Sequence, residues 1–491
     1  MSTTTYAGAI APMATYSPTA SNPWDQNKVK HVYRRLAFGA SYATVNVALY
    51  KDPNQLINEL IDEAKNMPNT PKPQWINWGN NDFSDYHNQN SDNKYDIRRE
   101  TIESAMSKGL KGRLSLFWMN HFVTDIDTYQ HSPYMAQYWD LLQTHAIGNF
   151  KTFVEEIGLC PAMLVFLNGF ENTKNKPNEN YARELYELFT LGVNNGYTQY
   201  DITETARALT GYNRQDTKNG PILFDPTTFD NSPKNIFGQS NNWNYGNVIT
   251  ILFQKKGRLI SKYIATKLYK YFVSPEVDYQ VVDEMADTFF NSNYEIAPML
   301  EKLFSSSHFF DEKVMGNIIK SPYDLICTFL NETGMDYKID KNDRSIGDMF
   351  NYIHHMTTQL GQRIYKPIDV SGWQRDEDWI NGSSIGFRWQ GMDNVTGKIR
   401  QYRDGQLVEF AKNLTNNSKD TAYITRTIID YFVTKPLLTE SDYDTAETVL
   451  KWQVPSNYYD EGKWSLDWGN AELQLFFLFR HIFTLPEFQL K

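Results

Sequence analysis

The segment Pro177-Asn-Glu-Asn-Tyr-Ala-Arg-Glu-Leu-Tyr-Glu-Leu-Phe-Thr-Leu-Gly192 gathers three glutamates and an arginine within sixteen residues. Pro177 suits a first helical turn and Gly192 the position just past the end. At about 100° per residue, Tyr181, Ala182, Leu185, Leu188 and Phe189 share one face. Glu179, Asn180, Arg183, Glu187 and Thr190 share the other, with Glu184 near the boundary. The spacings Glu179–Arg183 and Arg183–Glu187 let one guanidinium bridge two carboxylates. One reading is a solvated face with ion pairs worth roughly a few tenths of a kcal/mol each. The other is a cleft wall in which Arg183 orients Glu179, Glu184 or Glu187 as acid, base or ligand, with Asn178 beside it as a substrate contact.

Three further groups could carry chemistry. In Arg113-Leu-Ser-Leu-Phe-Trp-Met-Asn-His121 the only polar stripe is Arg113, Asn120 and Thr124, so the helix should be buried and His121 set among apolar side chains. His121 is then either a satisfied core histidine or a ligand or base. Lys267 falls within the apolar arc Ile260, Tyr263, Ile264, Leu268, Tyr271, whereas Lys262 and Lys270 point away. Either its stem snorkels, or a buried ammonium needs a carboxylate, for which the glutamates of the 177–192 helix are candidates. Gly372-Trp-Gln-Arg-Asp-Glu-Asp-Trp379-Ile-Asn381 places three acids between two tryptophans, the composition of a sugar cleft with Trp373 and Trp379 as platform and Asn381 as a contact. A tryptophan-anchored loop packed on the core fits the same residues.

The elements that must position these groups are mostly helices. Helical spacing recurs near 28–37, 53–65, 96–108, 111–124, 133–147, 150–168, 179–191, 202–210, 257–273, 277–290, 295–304, 313–331, 346–360, 421–434, 440–453 and 470–484. Asp201-Ile-Thr-Glu204 reads as a capping box, making an αα-hairpin with the preceding helix. Residues 66–95 read as a loop or lid and 362–395 as a structured loop, while 212–252 carry two candidate strands, Pro221–Phe224 and Val248–Leu252. The expected fold is a large, mostly α, multi-helix single domain over 25–491 with long polar loops and at most a small β-hairpin. Two lobes meeting near 212–252 are the alternative. Residues 1–24, rich in Ser, Thr, Ala and Pro, read as a flexible or surface-lying tail.

Composition excludes several classes. A net charge of −10 argues against a nucleic-acid footprint and against an anionic membrane surface. Two cysteines, Cys160 and Cys327, in apolar surroundings rule out a disulfide scaffold or cysteine-rich zinc site. No secretory signal or membrane-spanning run is recognisable, so a soluble, cytoplasmic protein is the default, with export by another route as the alternative. A phosphate loop, a His-Glu-x-x-His motif, a Gly-x-Ser-x-Gly elbow and Glu-x-x-His repeats are all missing, and no cofactor is implied. The 15% aromatic content leaves rings for a binding surface after a large core is filled.

Together these segments resemble a bacterial family, the domain of unknown function 1800. The resemblance rests on His31-Val-Tyr-Arg-Arg-Leu-Ala-Phe-Gly39, Phe117-Trp-Met-Asn-His-Phe-Val123, Pro177-Asn-Glu-Asn-Tyr-Ala-Arg-Glu-Leu185, Ala206-Arg-Ala-Leu-Thr-Gly-Tyr212, Lys320-Ser-Pro322 and the tract from Gly361-Gln362 to Trp379-Ile-Asn381. It implies a helical fold, frequent export and gene neighbours similar to sulfatases, but no reaction. Family members often carry histidines where this chain has Met119 and Phe229, which weakens a metal site on His31, His121, Glu179 and Glu184 and a metal-dependent oxidoreductase with it. The leading expectation is an envelope or extracellular enzyme acting on a glycan or hydroxyl-rich substrate through carboxylates. The alternative is a non-catalytic glycan-binding or assembly protein with a sulfatase-like partner.

Overall fold

The computed structural model describes residues 13–337, 348–437 and 439–491. With 22 α-helices among the described residues and 59% helical content, the fold is mostly α. Two short antiparallel ribbons are present among the described residues, Tyr212–Arg214 with Leu223–Phe224 and Lys234–Ile236 with Gln239–Asn241.

The helix Gly109–His121 is buried at every position except Gly109 and Asn120. That follows from a sequence apolar nearly all round, which no solvent-facing position would tolerate. It packs against helices Pro53–Asn66, Tyr86–Ser107 and Ser132–Thr144. The 28-residue helix Tyr245–Phe272 lies along Tyr279–Asn291 and reaches the turn Leu185–Thr190. Farther along the chain, Ala471–Thr484 packs on Ser384–Tyr402, Gln406–Thr415 and Glu440–Leu450.

Several local expectations are corrected. Val248–Leu252 is not a strand but part of Tyr245–Phe272, opened by a reciprocal cap between Asn244 and Asn247. Val248, Ile249, Ile251 and Leu252 are buried and only Thr250 between them is exposed, and so short an apolar run has too little periodicity to separate strand from helix. The helix Gln199–Ala208 starts earlier than the expected capping box, with Thr198 and Asp201 as the reciprocal pair. Asp201 and Glu204 instead hold the second ribbon, accepting from the Phe237 and Asn235 N–H groups at 2.8 Å each. The 66–95 loop gives way to helix at Tyr86, after the cap Asp85, and the 362–395 loop gives way to helix at Ser384. Of the 1–24 tail, residues 1–12 lie outside the described residues. Met13 and Tyr16 are buried, and Tyr16 N–H donates to Ser305 O at 2.8 Å.

Buried charge joins elements far apart in the chain. Asp324 accepts from Arg113 Nη1, from Lys491 Nζ at 2.5 Å and from Ser321 Oγ at 2.9 Å. Burial alone would raise its carboxyl, but Arg113 and Lys491 outweigh burial and hold it well below the usual carboxylate range. Arg34 forks onto Glu332 at 2.5 and 3.0 Å. Arg35 donates to Val314 O, Asn317 Oδ1 and Lys491 O at 2.8–2.9 Å, and the Asp324 and Asp376 carboxylates act on it electrostatically. Removing one partner of a buried pair strands the other, so Asp324→Asn should cost about 3–5 kcal/mol in urea unfolding at neutral pH. Because the folded-state pKa is depressed, the wild type's advantage is full above the ordinary Asp range and should shrink as pH falls below it.

Candidate functional site

The signature segment begins its helix at Asn180 rather than in the turn of Pro177. Asn178 Oδ1 accepts from Asn180 N–H at 2.9 Å, and Asn178 N–H donates to Asn172 Oδ1 at 2.9 Å, so its role here is to shape the helix entry. Arg183 bridges Glu179 at 3.0 Å and Glu187 at 3.4 Å, as the spacing requires. Glu179 also accepts from Gln199 Nε2 and Thr203 Oγ1, both at 2.7 Å, which ties two consecutive helices together. Arg183, Glu179 and Glu187 are 37%, 34% and 23% exposed, so this clasp lies at the surface rather than in a dry core. Glu184 is partly buried, and burial followed by the adjacent Glu187 raises its carboxyl.

The chemistry of this segment lies in its backbone. From Leu185 to Thr190 the α-helix widens into a π-helical turn, with Leu191 N–H donating to Tyr186 O at 2.9 Å. Such turns recur at functional sites, and the last carbonyls of any helix lack intrahelical partners. Here Leu188 O accepts from Tyr263 OH at 2.8 Å and from Lys267 Nζ at 3.2 Å, while Phe189 O pairs with His121 Nε2 at 3.0 Å. A carbonyl can only accept, so Nε2 carries the imidazole proton and Nδ1 is left as an acceptor. Lys267 Nζ sits 3.0 Å from that Nδ1. Burial first, then Lys267, pushes His121 well below the usual histidine range, and the ring is neutral.

Lys267 does not pair with the glutamates of the signature helix. Its hydrogen-bond partners among the described residues are His121 Nδ1 and Leu188 O, with the Tyr263 ring 4.9 Å away. Burial first, then Arg375, pushes its amine well below the usual lysine range. A neutral amine has two N–H donors and an ammonium three, so two acceptors match the amine.

Lys267 also lines a cavity of about 260 Å³. Its walls include Phe117, Tyr271, Trp373 and Trp379, and its charged lining is Lys267, Lys270, Arg375 and Lys491 against Asp324 and Asp376. Trp373 and Trp379 are each 5% exposed, so they form a wall packed on the core rather than an open platform. The loop carrying them is pinned to the end of the central helix. Trp373 N–H donates to Asn120 Oδ1 at 2.5 Å, and Trp373 Nε1 donates to Arg363 O at 2.9 Å. Gly372 permits this approach, since at φ +105° a Cβ would lie 2.3 Å from Asn120 Oδ1 and 2.7 Å from Asn120 O. Asp376 occupies the left-handed region at φ 48°, a conformation uncommon outside glycine and asparagine. Burial first, then Glu377 and Asp378, raises its carboxyl against the lowering effects of the Ile319 N–H and Arg35. Arg375 is open to solvent within this recess, and its guanidinium makes no hydrogen bond or ion pair with any described residue.

The structure thus brings together His121, Lys267, Trp373 and Trp379. Glu179, Arg183, Glu184 and Asn178 do not line this cavity, and neither does Asn381, whose Oδ1 accepts from the Ser383 and Ser384 N–H groups at 3.0 and 2.9 Å. Arg375 and Asp376 carried no signal in the sequence beyond their place between the two tryptophans. The family described as "Protein of unknown function (DUF1800)" matches residues 31–490. The chain belongs to this family. No curated protein and no solved structure matches it. The resemblance blocks of the DUF1800 pattern now acquire a common location. Phe117–Val123 supplies Phe117, Asn120 and His121, and Pro177–Leu185 runs into the π-helical turn. Lys320-Ser-Pro322 precedes Asp324, and the 361–381 tract supplies Trp373, Arg375, Asp376 and Trp379. At the two positions where the resemblance led to an expectation of histidines, this DUF1800 chain buries Met119 and sets Phe229 against Phe224, while Asp230 pairs with Arg207 at 2.8 Å. Among the described residues no three His, Cys, Asp or Glu side chains are grouped to hold a metal ion, and no helix is long and apolar enough to cross a membrane.

Gly372→Ala should lower the melting temperature and loosen the Trp373–Asn120 contact, seen as increased Trp373 solvent quenching. Lys267→Met should show a specific pH dependence. The folded-state pKa of Lys267 is lowered, so the unfolded chain binds the extra proton and wild-type stability rises with pH up to the ordinary lysine range. The wild type should therefore gain on Lys267→Met as urea unfolding is repeated from neutral pH towards about pH 10.

Proposed function

We propose that the cavity binds a small, acidic, hydroxyl-rich ligand of the acidic-sugar class, with Arg375 as the receptor for its negative charge. The observation carrying this reading is Arg375 itself, a permanent cation whose side chain has no hydrogen-bond or ion-pair partner among the described residues, facing an aromatic-walled recess beside Lys267. In a chain of net charge −10, Lys270, Arg375 and Lys491 beside an uncharged Lys267, against two carboxylates in one lining, are a local reversal that favours an anion. Ring walls with a few polar groups suit a small sugar-sized molecule, and the volume of about 260 Å³ lies just below the roughly 300–1,000 Å³ typical of ligand sites. On this reading the carboxylate chemistry expected of Glu179 and Glu184 passes to Asp376, the cavity carboxyl that keeps its proton to higher pH and so can act as an acid. The Glu179–Arg183–Glu187 clasp is assigned to joining two helices.

Calorimetric titration with a panel of uronates, sugar sulfates, sugar phosphates and matched neutral sugars tests this. At least one acidic member should bind more tightly than its neutral counterpart. Arg375→Gln should weaken that binding about tenfold or more, the worth of a charged hydrogen bond. Glu179→Gln should leave it unchanged. A panel in which no anion shows Arg375-dependent binding would overturn the proposal.

A further inference from the structure

Lys267 does more than line the cavity. An amine acts as a nucleophile towards carbonyl carbon only when its lone pair is free, and desolvation beside another cation is a general route to that state. Lys267 has both conditions. The Arg375 guanidinium shares its cavity, and no carboxylate among the described residues pairs with it. Its two N–H donors are committed to His121 Nδ1 and Leu188 O, which holds the nitrogen at the cavity wall with the lone pair unassigned. His121 cannot rotate away to compete, because Phe189 O holds its other nitrogen. The titratable groups facing this nitrogen from the neighbouring elements are His121, Tyr263 and Arg375, with Glu184 acting on Tyr263 and Lys270 and Asp376 elsewhere in the lining.

From this geometry we infer that Lys267 forms an imine with the carbonyl carbon of an anionic carbonyl compound, an aldehyde or keto acid such as the open-chain form of a uronic acid, whose carboxylate rests on Arg375. The lone pair of Nζ attacks the carbonyl carbon and a C–N bond forms. The two amine hydrogens leave with the carbonyl oxygen as water, giving the C=N bond, and a proton from solvent converts the imine to the iminium. No oxidant or reductant is consumed. The iminium draws electrons from the neighbouring carbon, which opens proton exchange or bond cleavage there. This inference rests on the anion-binding reading above and narrows its ligand to carbonyl-bearing acids.

The test is reductive trapping. Full-length protein is incubated with glyoxylate, pyruvate or glucuronate and cyanoborohydride, which delivers hydride to the iminium carbon and leaves a stable secondary amine. Peptide mapping then compares Lys267 with Lys262 and Lys255, exposed lysines of the same helix that lie outside the cavity lining and serve as internal references. The expected result is modification of Lys267 at least tenfold faster than of either reference near neutral pH. Arg375→Gln should slow labelling of Lys267 and leave Lys262 unaffected. Labelling of Lys267 no faster than the references, or its absence, overturns the inference. Retained Arg375-dependent binding of uronates in Lys267→Met, together with an unlabelled Lys267 in the wild type, would sink the imine while leaving the anion site standing. Selective labelling that is indifferent to Arg375→Gln would remove Arg375 from the assignment and overturn it in the stated form.

Discussion

The structure depends on how positive charge is kept inside it. Asp324 takes two cations, Arg113 and Lys491, while Arg35 beside them donates to Val314 O, Asn317 Oδ1 and Lys491 O. Lys267 lies in the same cavity lining as Lys491, without a carboxylate partner among the described residues. Burying a charge is costly unless it is paired and hydrogen-bonded, and a lysine meets that cost by giving up its proton. Arginine cannot do the same, so Arg375 keeps its charge and turns it towards the cavity. One lysine without charge beside one arginine with it follows from these two chemistries under one constraint.

The carbonyls that support this arrangement come from a helix end. An α-helix continued through Leu185–Thr190 would have presented its last oxygens elsewhere. The wider turn instead delivers Leu188 O to Tyr263 and Lys267 and Phe189 O to His121. The signature segment therefore has two faces with separate duties. Its carboxylates clasp the next helix at the surface, and its C-terminal carbonyls fix the tautomer of a histidine and the seat of a lysine. Gly372 has a comparable role on the opposite side, where the absence of a side chain lets the Trp373 loop touch Asn120.

Much of this was legible in the sequence, for stated reasons. The buried helix Gly109–His121, the apolar setting of His121 and the odd position of Lys267 all follow from helical periodicity, because that period records which face is dry. The Arg183 bridge follows from i,i+4 spacing. The partner of Lys267 was not legible, since the sequence pointed to carboxylates and the structure supplied carbonyls and an imidazole, and backbone acceptors leave no residue-type signature. Arg375 was hidden for a related reason. Its importance lies in a side chain with no hydrogen-bond or ion-pair partner among the described residues, a property of the assembled recess rather than of the run Gly372–Asn381. The helix at Ser384 was obscured by Gly386, Gly391 and Gly397, although Gly391 is there for packing, with a Cβ meeting Met356 Cε at 2.1 Å.

The central claim is that Lys267 is an uncharged amine facing a cationic cavity. Nitrogen-15 NMR of lysine-labelled protein, with the Lys267 Nζ resonance assigned from its loss in Lys267→Arg, reads that state directly. A neutral-amine shift at neutral pH, titrating well below the ordinary lysine range, is the predicted result. An ammonium shift that persists until the ordinary lysine value of about 10.4 would contradict it.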